Sequence, residues 1–175
     1  MENPEKNNIA RMELANRLFF RLYQCANMLH KTGTRAVEDE GLTTQQWAVL
    51  GALSRPETGK GISVGELARY LMVSRQNLSG LLSRMERDGH IAMRSDTVDR
   101  RSKLVSMTTM GRKVWQNDAQ PKILSYYESA LDGFSISDTA SRCPSDMSSL
   151  REKSRPWGRI ASCLRRIDRT LPAPR

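Results

Sequence analysis

Thirty consecutive residues, Ile62 to Ile91 (ISVGELARYLMVSRQNLSGLLSRMERDGHI), restrict the fold more than any other part of the chain. Ser63 followed by Glu66 is a capping box, in which each side chain satisfies a free backbone N–H at the start of a helix. It opens a short helix that runs to about Tyr70. A tight Leu71-Met72-Val73 connection leads to Ser74, a second N-cap, and to a second helix ending near Asp88, with Gly89 as its natural stop. Leu78, Leu81, Leu82 and Met85 give that helix a buried stripe at three- and four-residue steps. Two short helices joined by a turn of a few residues form a helix-turn-helix.

The flanks complete the outline. Ile9, Met12, Leu18, Leu22 and Leu29 mark a helix over 9–37, and Phe19, Phe20 and Tyr23 widen its apolar side until more than one face should be buried. Thr43 and Gln46 form another capping box, opening a helix in which Trp47, Leu50 and Leu53 face inward. After Gly89, HIAMR and SKLVSMT read as two short strands around a charged loop. Thr108 then caps a long helix that Pro121 should kink or deprive of one hydrogen bond. A hairpin appended to a helix-turn-helix is a wing. The expected fold is therefore mainly α with a small β-hairpin wing: a winged helix-turn-helix over 43–107, flanked by helical regions 9–37 and 108–140.

Hydrophobic residues are 38% of the 175 and aromatic residues 6%, a modest core that fits completion by a partner subunit. No apolar run approaches a membrane span, and the N-terminus MENPEKNNIA has no apolar leader. Cys25, Cys143 and Cys163 form no C-x-x-C pair, so a reduced cytoplasmic protein is expected. The net charge of +9 is uneven: residues 141–175 hold nine Lys/Arg against three Asp/Glu, +6, while residues 1–140 hold nineteen against sixteen, +3. Bulk charge is thus weak evidence for a polyanionic partner, and the placement of individual arginines must carry the case.

Off its apolar stripe the second helix of the motif carries Arg75, Gln76, Asn77, Ser79, Gly80, Ser83, Arg84 and Arg87, with no acid before Glu86. A solvated helix face usually mixes in Glu and Lys, whereas Arg, Gln and Asn can pair with base edges in a major groove. Base contacts concentrate in the first turn of such a helix. The expected reading residues are Ser74, Arg75, Gln76, Asn77, Ser79 and Arg84. Two acids and three arginines crowd the eight residues Arg94–Arg101. An arginine-bearing wing tip suits the negative potential of a minor groove. Arg94, Arg100 and Arg101 are its candidate contacts, with Asp99 orienting the tip and the acids bracing neighbouring arginines.

At these residues the chain resembles the MarR family of bacterial transcription regulators. The family's wing carries Asp-x-Arg and then a strand ending in Leu-Thr-x-x-Gly. Here these are Asp99-Arg100-Arg101 and SKLVSMTTMG, with Met107 in place of the leucine. LTTQQWAVL, the helix-turn-helix segment and the long first helix also match, so the resemblance covers about residues 9 to 140. It implies a homodimer held by the first and last helices, each subunit placing its reading helix in a major groove of a pseudo-palindromic double-stranded operator. The two helices would then lie one turn of DNA apart, roughly 34–36 Å, or a multiple of that. It further implies a repressor released by a small aromatic effector bound between the two lobes. The wording of QNLSGLLSRMERDGHI and LDGFSISDTA is similar to regulators of aromatic-acid catabolism of the chlorobenzoate-operon type. After Ala140 the resemblance stops. The remaining segment holds four of the seven prolines and almost no apolar periodicity. It reads either as a frameshifted ending or as a basic, disordered tail adding nonspecific phosphate affinity.

Phe20, Tyr23, Trp47 and Trp115 are large aromatics suited to such an effector, with Arg17 (or Arg21) to pair its carboxylate; the plainer reading is core and interface packing. Cys25 invites a redox-sensing reading, which needs an exposed, activated thiol; beside the apolar stripe, a buried thiol is expected instead. No metal or cofactor is expected of His30, His90 or their neighbours, and no phosphate loop or supported nucleophile points to an enzyme. A winged helix used for protein interaction would need an apolar or acidic patch on the second helix, which SRQNLSGLLSR does not supply.

Overall fold

The structure, a computed structural model, describes residues 4–97, 99 and 102–135. Residues 1–128 form one compact unit, and 129–135 are the described part of a second. In order, the helices are α1 (Pro4–Val37), α2 (Thr44–Leu53), α3 (Val64–Leu71) and α4 (Arg75–Arg87), then α5 (Thr109–Lys113) and α6 (Gln120–Ala130). Three strands, β1 (Ile62–Ser63), β2 (Ile91–Ser95) and β3 (Lys103–Met107), form one antiparallel sheet in the order β1-β3-β2. Ile91 pairs with Met107 at the base of the wing and Ser95 with Lys103 near its tip; Ile62 and Ser63 pair with Val105 and Leu104 on the other edge of β3.

All four expected N-caps form. Thr43 and Ser63 each make a complete capping box, and Ser74 and Thr108 each accept from the backbone N–H three residues on. A cap of this kind is worth about 1 kcal/mol. The turn between α3 and α4 passes through Met72 in the left-handed conformation (φ +57°), a place glycine usually holds. Val73 N donates to Ala68 O (3.0 Å), closing the free end of α3.

Leu50, Leu67, Leu78, Leu82, Met85, Ile91 and Val105 are fully buried between α2, α3, α4 and the sheet. The core therefore sits in the winged helix-turn-helix. Among the described residues Val37 is the sole member of this core from α1. The expectation that α1 buries more than one face is not met among the described residues: Ile9, Met12, Leu18, Phe19, Phe20, Tyr23 and Leu29 are all exposed. Only the C-terminal end of α1 is tied to α2, through Thr44 Oγ1, which donates to His30 O (3.0 Å), and through Thr44 N, which donates to Thr34 Oγ1 (3.1 Å).

The long helix is not uniform. Between α5 and α6 the chain makes one π-helical turn, Val114–Ala119, closed by Gln120 N donating to Trp115 O. The wider turn directly precedes Pro121, whose missing N–H an α-helical ladder would leave as a gap. At the junction of wing and α5, Thr108 Oγ1 donates to Gly89 O (2.7 Å) and Thr108 N to His90 O (3.1 Å). A β-carbon on Gly111 would overlap that same His90 carbonyl oxygen. The Thr-x-x-Gly spacing is thus the geometry of a close backbone approach. Residues 141–175 lie outside the described residues.

Candidate nucleic-acid interface

Leu78, Leu81, Leu82 and Met85 seat α4 in the core, and a 3.6-residue repeat then turns Gln76, Gly80, Ser83 and Arg87 directly outward. Arg75 and Ser79 lie on one shoulder of this face, Asn77 and Arg84 on the other, and all are exposed. A β-carbon at Gly80 would meet nothing within 4 Å, so the middle of the helix can approach a partner closely. Ser74 Oγ accepts from Asn77 N (3.2 Å), which makes Ser74 the N-cap of α4. Ser79 Oγ donates its proton to Arg75 O (2.8 Å), leaving that hydroxyl lone pairs but no donor for a phosphate.

Arg84 stands apart from the other candidates. It lines a cavity of about 470 Å³ together with His30 and Thr34 of α1, Thr43, Gln45 and Gln46 at the start of α2, and Leu81 of α4. Two of these walls are already fixed by hydrogen bonds, Thr34 by Thr44 N and Gln46 by Thr43 N (2.8 Å). His30, Gln45 and Arg84 are exposed.

The wing is braced through two adjacent residues of β2. Glu86 Oε1 accepts from Met93 N (2.8 Å), and Arg94 Nη2 donates to Lys60 O (2.8 Å). At the tip, Ser102 N donates to Asp99 O (2.8 Å) and Asp96 N to Ser102 O (2.9 Å). Asp99 therefore shapes the tip through its carbonyl. Arg100 and Arg101 lie outside the described residues.

The five aromatic-pocket candidates are not gathered. Arg17, Phe20 and Tyr23 are exposed along α1. Trp47 is a core residue, 7% exposed, with edge contacts to Tyr126 (5.8 Å) and Tyr127 (5.7 Å). Burial raises the Tyr127 phenol above its ordinary value of 10.0, against the opposing pull of a hydrogen bond from Trp47. Trp115 lies across Gly51 of α2, where a β-carbon would stand 3.2 Å from its ring. None of the five lines the cavity beside α4. The signal for that cavity in the sequence was slight: His30 and Thr34 are one helical turn apart, off the apolar stripe. Cys25 is free and exposed, not buried as expected, because none of the described residues covers that part of α1.

Among the described residues no helix is long and apolar enough to cross a membrane. No group of three or more His, Cys, Asp or Glu is placed there to hold a metal.

A family model described as MarR family matches residues 40–102, from the turn before α2 to the residue before β3. The chain is 74% identical over 129 residues to the transcriptional activatory protein BadR of Rhodopseudomonas palustris, 74% of each chain being covered. It is 32% identical over 91 residues to the homoprotocatechuate degradative operon repressor of Escherichia coli, covering 52% of this chain and 59% of the relative. In fold it is similar to CouR from Rhodococcus jostii RHA1, solved bound to p-coumaroyl-CoA, with a TM-score of 0.61 at 20% identity over 70% of this chain and 83% of that one. The chain therefore belongs to the MarR family of DNA-binding transcription regulators, which are not enzymes.

Proposed function

We infer that this chain acts as a homodimer on a pseudo-palindromic operator, regulating genes for the breakdown of aromatic compounds, and that a small aromatic acid or its derivative sets its affinity for DNA. The observation that carries the DNA-reading part is the outer face of α4, where Arg75, Gln76, Asn77, Ser83 and Arg87 are exposed around an open Gly80. The dimer is supported by α1, whose exposed Ile9, Met12, Leu18, Phe19 and Phe20 form a face too apolar for a lone chain. The aromatic effector is supported by the names of the homoprotocatechuate repressor and of CouR with its bound ligand. The cavity beside α4 gives such an acid a place: Arg84 offers paired donors to a carboxylate, and Leu81 an apolar wall.

On the sign of regulation the relatives differ. A repressor is the expectation from the sequence, and the 32% relative is named one; the 74% relative is named an activator. The higher identity favours activation.

Fluorescence anisotropy tests the reading. DNA from upstream of the chain's own gene and a random duplex are titrated over a salt series, with and without benzoates, cinnamates and their coenzyme A thioesters. Selective binding that one aromatic compound alters is the expected result. Equal, steeply salt-dependent binding to both duplexes would reduce the activity to phosphate attraction and overturn it. The exposed thiol of Cys25 favours a second reading, in which peroxide changes DNA affinity and Cys25→Ser abolishes the response.

A further inference from the structure

Gly65 sits in the first turn of α3, where any other ordinary residue would make a better helix. Its reason is across the turn, on α4. A β-carbon at Gly65 would stand 2.8 Å from Arg75 Nη2, closer than such atoms pack, and 3.2 Å from its Cζ and 3.4 Å from its Nε, so the flexible Arg75 head would have to move aside. The guanidinium of Arg75 is therefore laid over the bare Cα of Gly65. The carbonyl of the same glycine accepts from Arg69 Nε (3.3 Å), so two guanidinium groups converge on one residue of α3. Both arginines are exposed, and they stand where the front of the reading helix meets the helix before it.

We propose that Gly65 is a specificity-determining position of this regulator: the slot left by its missing side chain aligns the Arg75 guanidinium for a base edge, with Arg69 held beside it for the adjoining phosphate. The inference rests on the reading of α4 as the DNA-reading helix. A planar guanidinium gains its discrimination from presenting two parallel donors in a fixed plane, so its alignment before contact matters as much as its charge. An alanine at position 65 removes no charge and no hydrogen bond. It fills the slot and turns the fork away.

The test is a double-mutant cycle on the full-length protein with Gly65→Ala, Arg75→Ala and both together. A pool of randomised duplexes is selected on the parent protein and sequenced, and affinities are then measured on the preferred duplex and its single-base variants. Circular dichroism checks that each variant folds, and Gly65→Ser provides a second small side chain. The expected result is that Arg75→Ala flattens the preference at one base per half-site, that Gly65→Ala weakens the same preference roughly threefold or more, and that it adds nothing in the Arg75→Ala background. If Arg75→Ala flattens a preference that Gly65→Ala leaves intact, or the loss from Gly65→Ala persists without Arg75, the proposal fails and the reading of α4 stands. If Arg75→Ala leaves every preference unchanged, the reading face is misassigned and the proposal falls with it.

Discussion

Glu86 Oε1 accepts a hydrogen bond from Met93 N at 2.8 Å, fastening the last turn of α4 to the first strand of the wing. A carboxylate at the end of a helix proposed to read DNA would oppose DNA affinity by its charge, yet here it ties α4 to β2. Replacing it by glutamine keeps an acceptor and removes the charge; replacing it by alanine removes both. Glu86→Ala should lower stability by about 1 kcal/mol and weaken selective binding, while Glu86→Gln should leave selectivity close to that of the parent. Anisotropy on selected and random duplexes, with urea unfolding beside it, measures this. Stronger selectivity in Glu86→Ala would show that the charge matters and the brace does not.

Gly111 faces the His90 carbonyl oxygen so closely that a methyl group has no place to go, because both partners are backbone. Gly111→Ala should destabilise the fold by at least about 2 kcal/mol, by forcing α5 away from the base of the wing. Thr108→Ala, which removes the hydroxyl bonded to Gly89 O and Gly111 N, should cost less, about 1 kcal/mol. Chemical denaturation of both variants gives the order. A Gly111→Ala protein as stable as the parent would mean that the close approach is not kept in solution.

What could be read from the sequence was local. Four N-caps, the turn at Leu71–Val73 and the stop at Gly89 depend on residues within one helical turn of each other, and all are formed. β1 could not be read, since two residues show no alternation and pair only with a distant β3. The π-helical turn before Pro121 was half visible, because proline announces a broken ladder but not the way it is mended. The apolar stripe of α1 was legible as a surface that something covers, but such a stripe does not say whether the cover belongs to the same chain. The cavity beside α4 and the slot at Gly65 are contacts between separate helices. Beyond the one-turn spacing of His30 and Thr34, no spacing within a single helix encodes them.

Alkaline pH should weaken the fold from one small region. Burial raises the Tyr127 phenol above 10.0, with Tyr126 adding to the effect. Hydrogen bonds to Glu40 and then Asp39 raise the Lys122 ammonium above 10.5. Each group is held in its protonated form more firmly in the folded state than in the unfolded one. The stability they add is fully present below about pH 10 and is lost as the pH rises through their folded values. Melting temperature should therefore be level from about pH 7 to pH 9 as far as these groups decide it, and should fall above about pH 10. Tyr127→Phe should show a shallower fall, with one late-titrating phenol missing from the ultraviolet absorbance titration. An unchanged alkaline limb in both Tyr127→Phe and Lys122→Met would place the cause elsewhere.

Arg94 differs from Arg87 of α4, whose partner is the neighbouring Asp88 carboxylate (3.7 Å), in donating to the backbone of another element. Its Nη2 donates to Lys60 O at 2.8 Å, tying β2 to the loop before β1, so that the wing is anchored on the edge opposite Glu86. A guanidinium spent on a backbone carbonyl keeps its charge but not its freedom to follow a phosphate. If bracing is its main role, Arg94→Ala should cost about 1 kcal/mol of stability and leave the dependence of log affinity on log salt nearly unchanged. An arginine that neutralises a phosphate behaves differently, each such contact contributing close to one unit to that slope. Arg87→Ala, on the open side of α4, supplies the comparison within one protein. Slopes measured for the parent and both variants on the same duplex separate the roles, and a drop of about one unit in Arg94→Ala would return this residue to the DNA contact expected of it from the sequence.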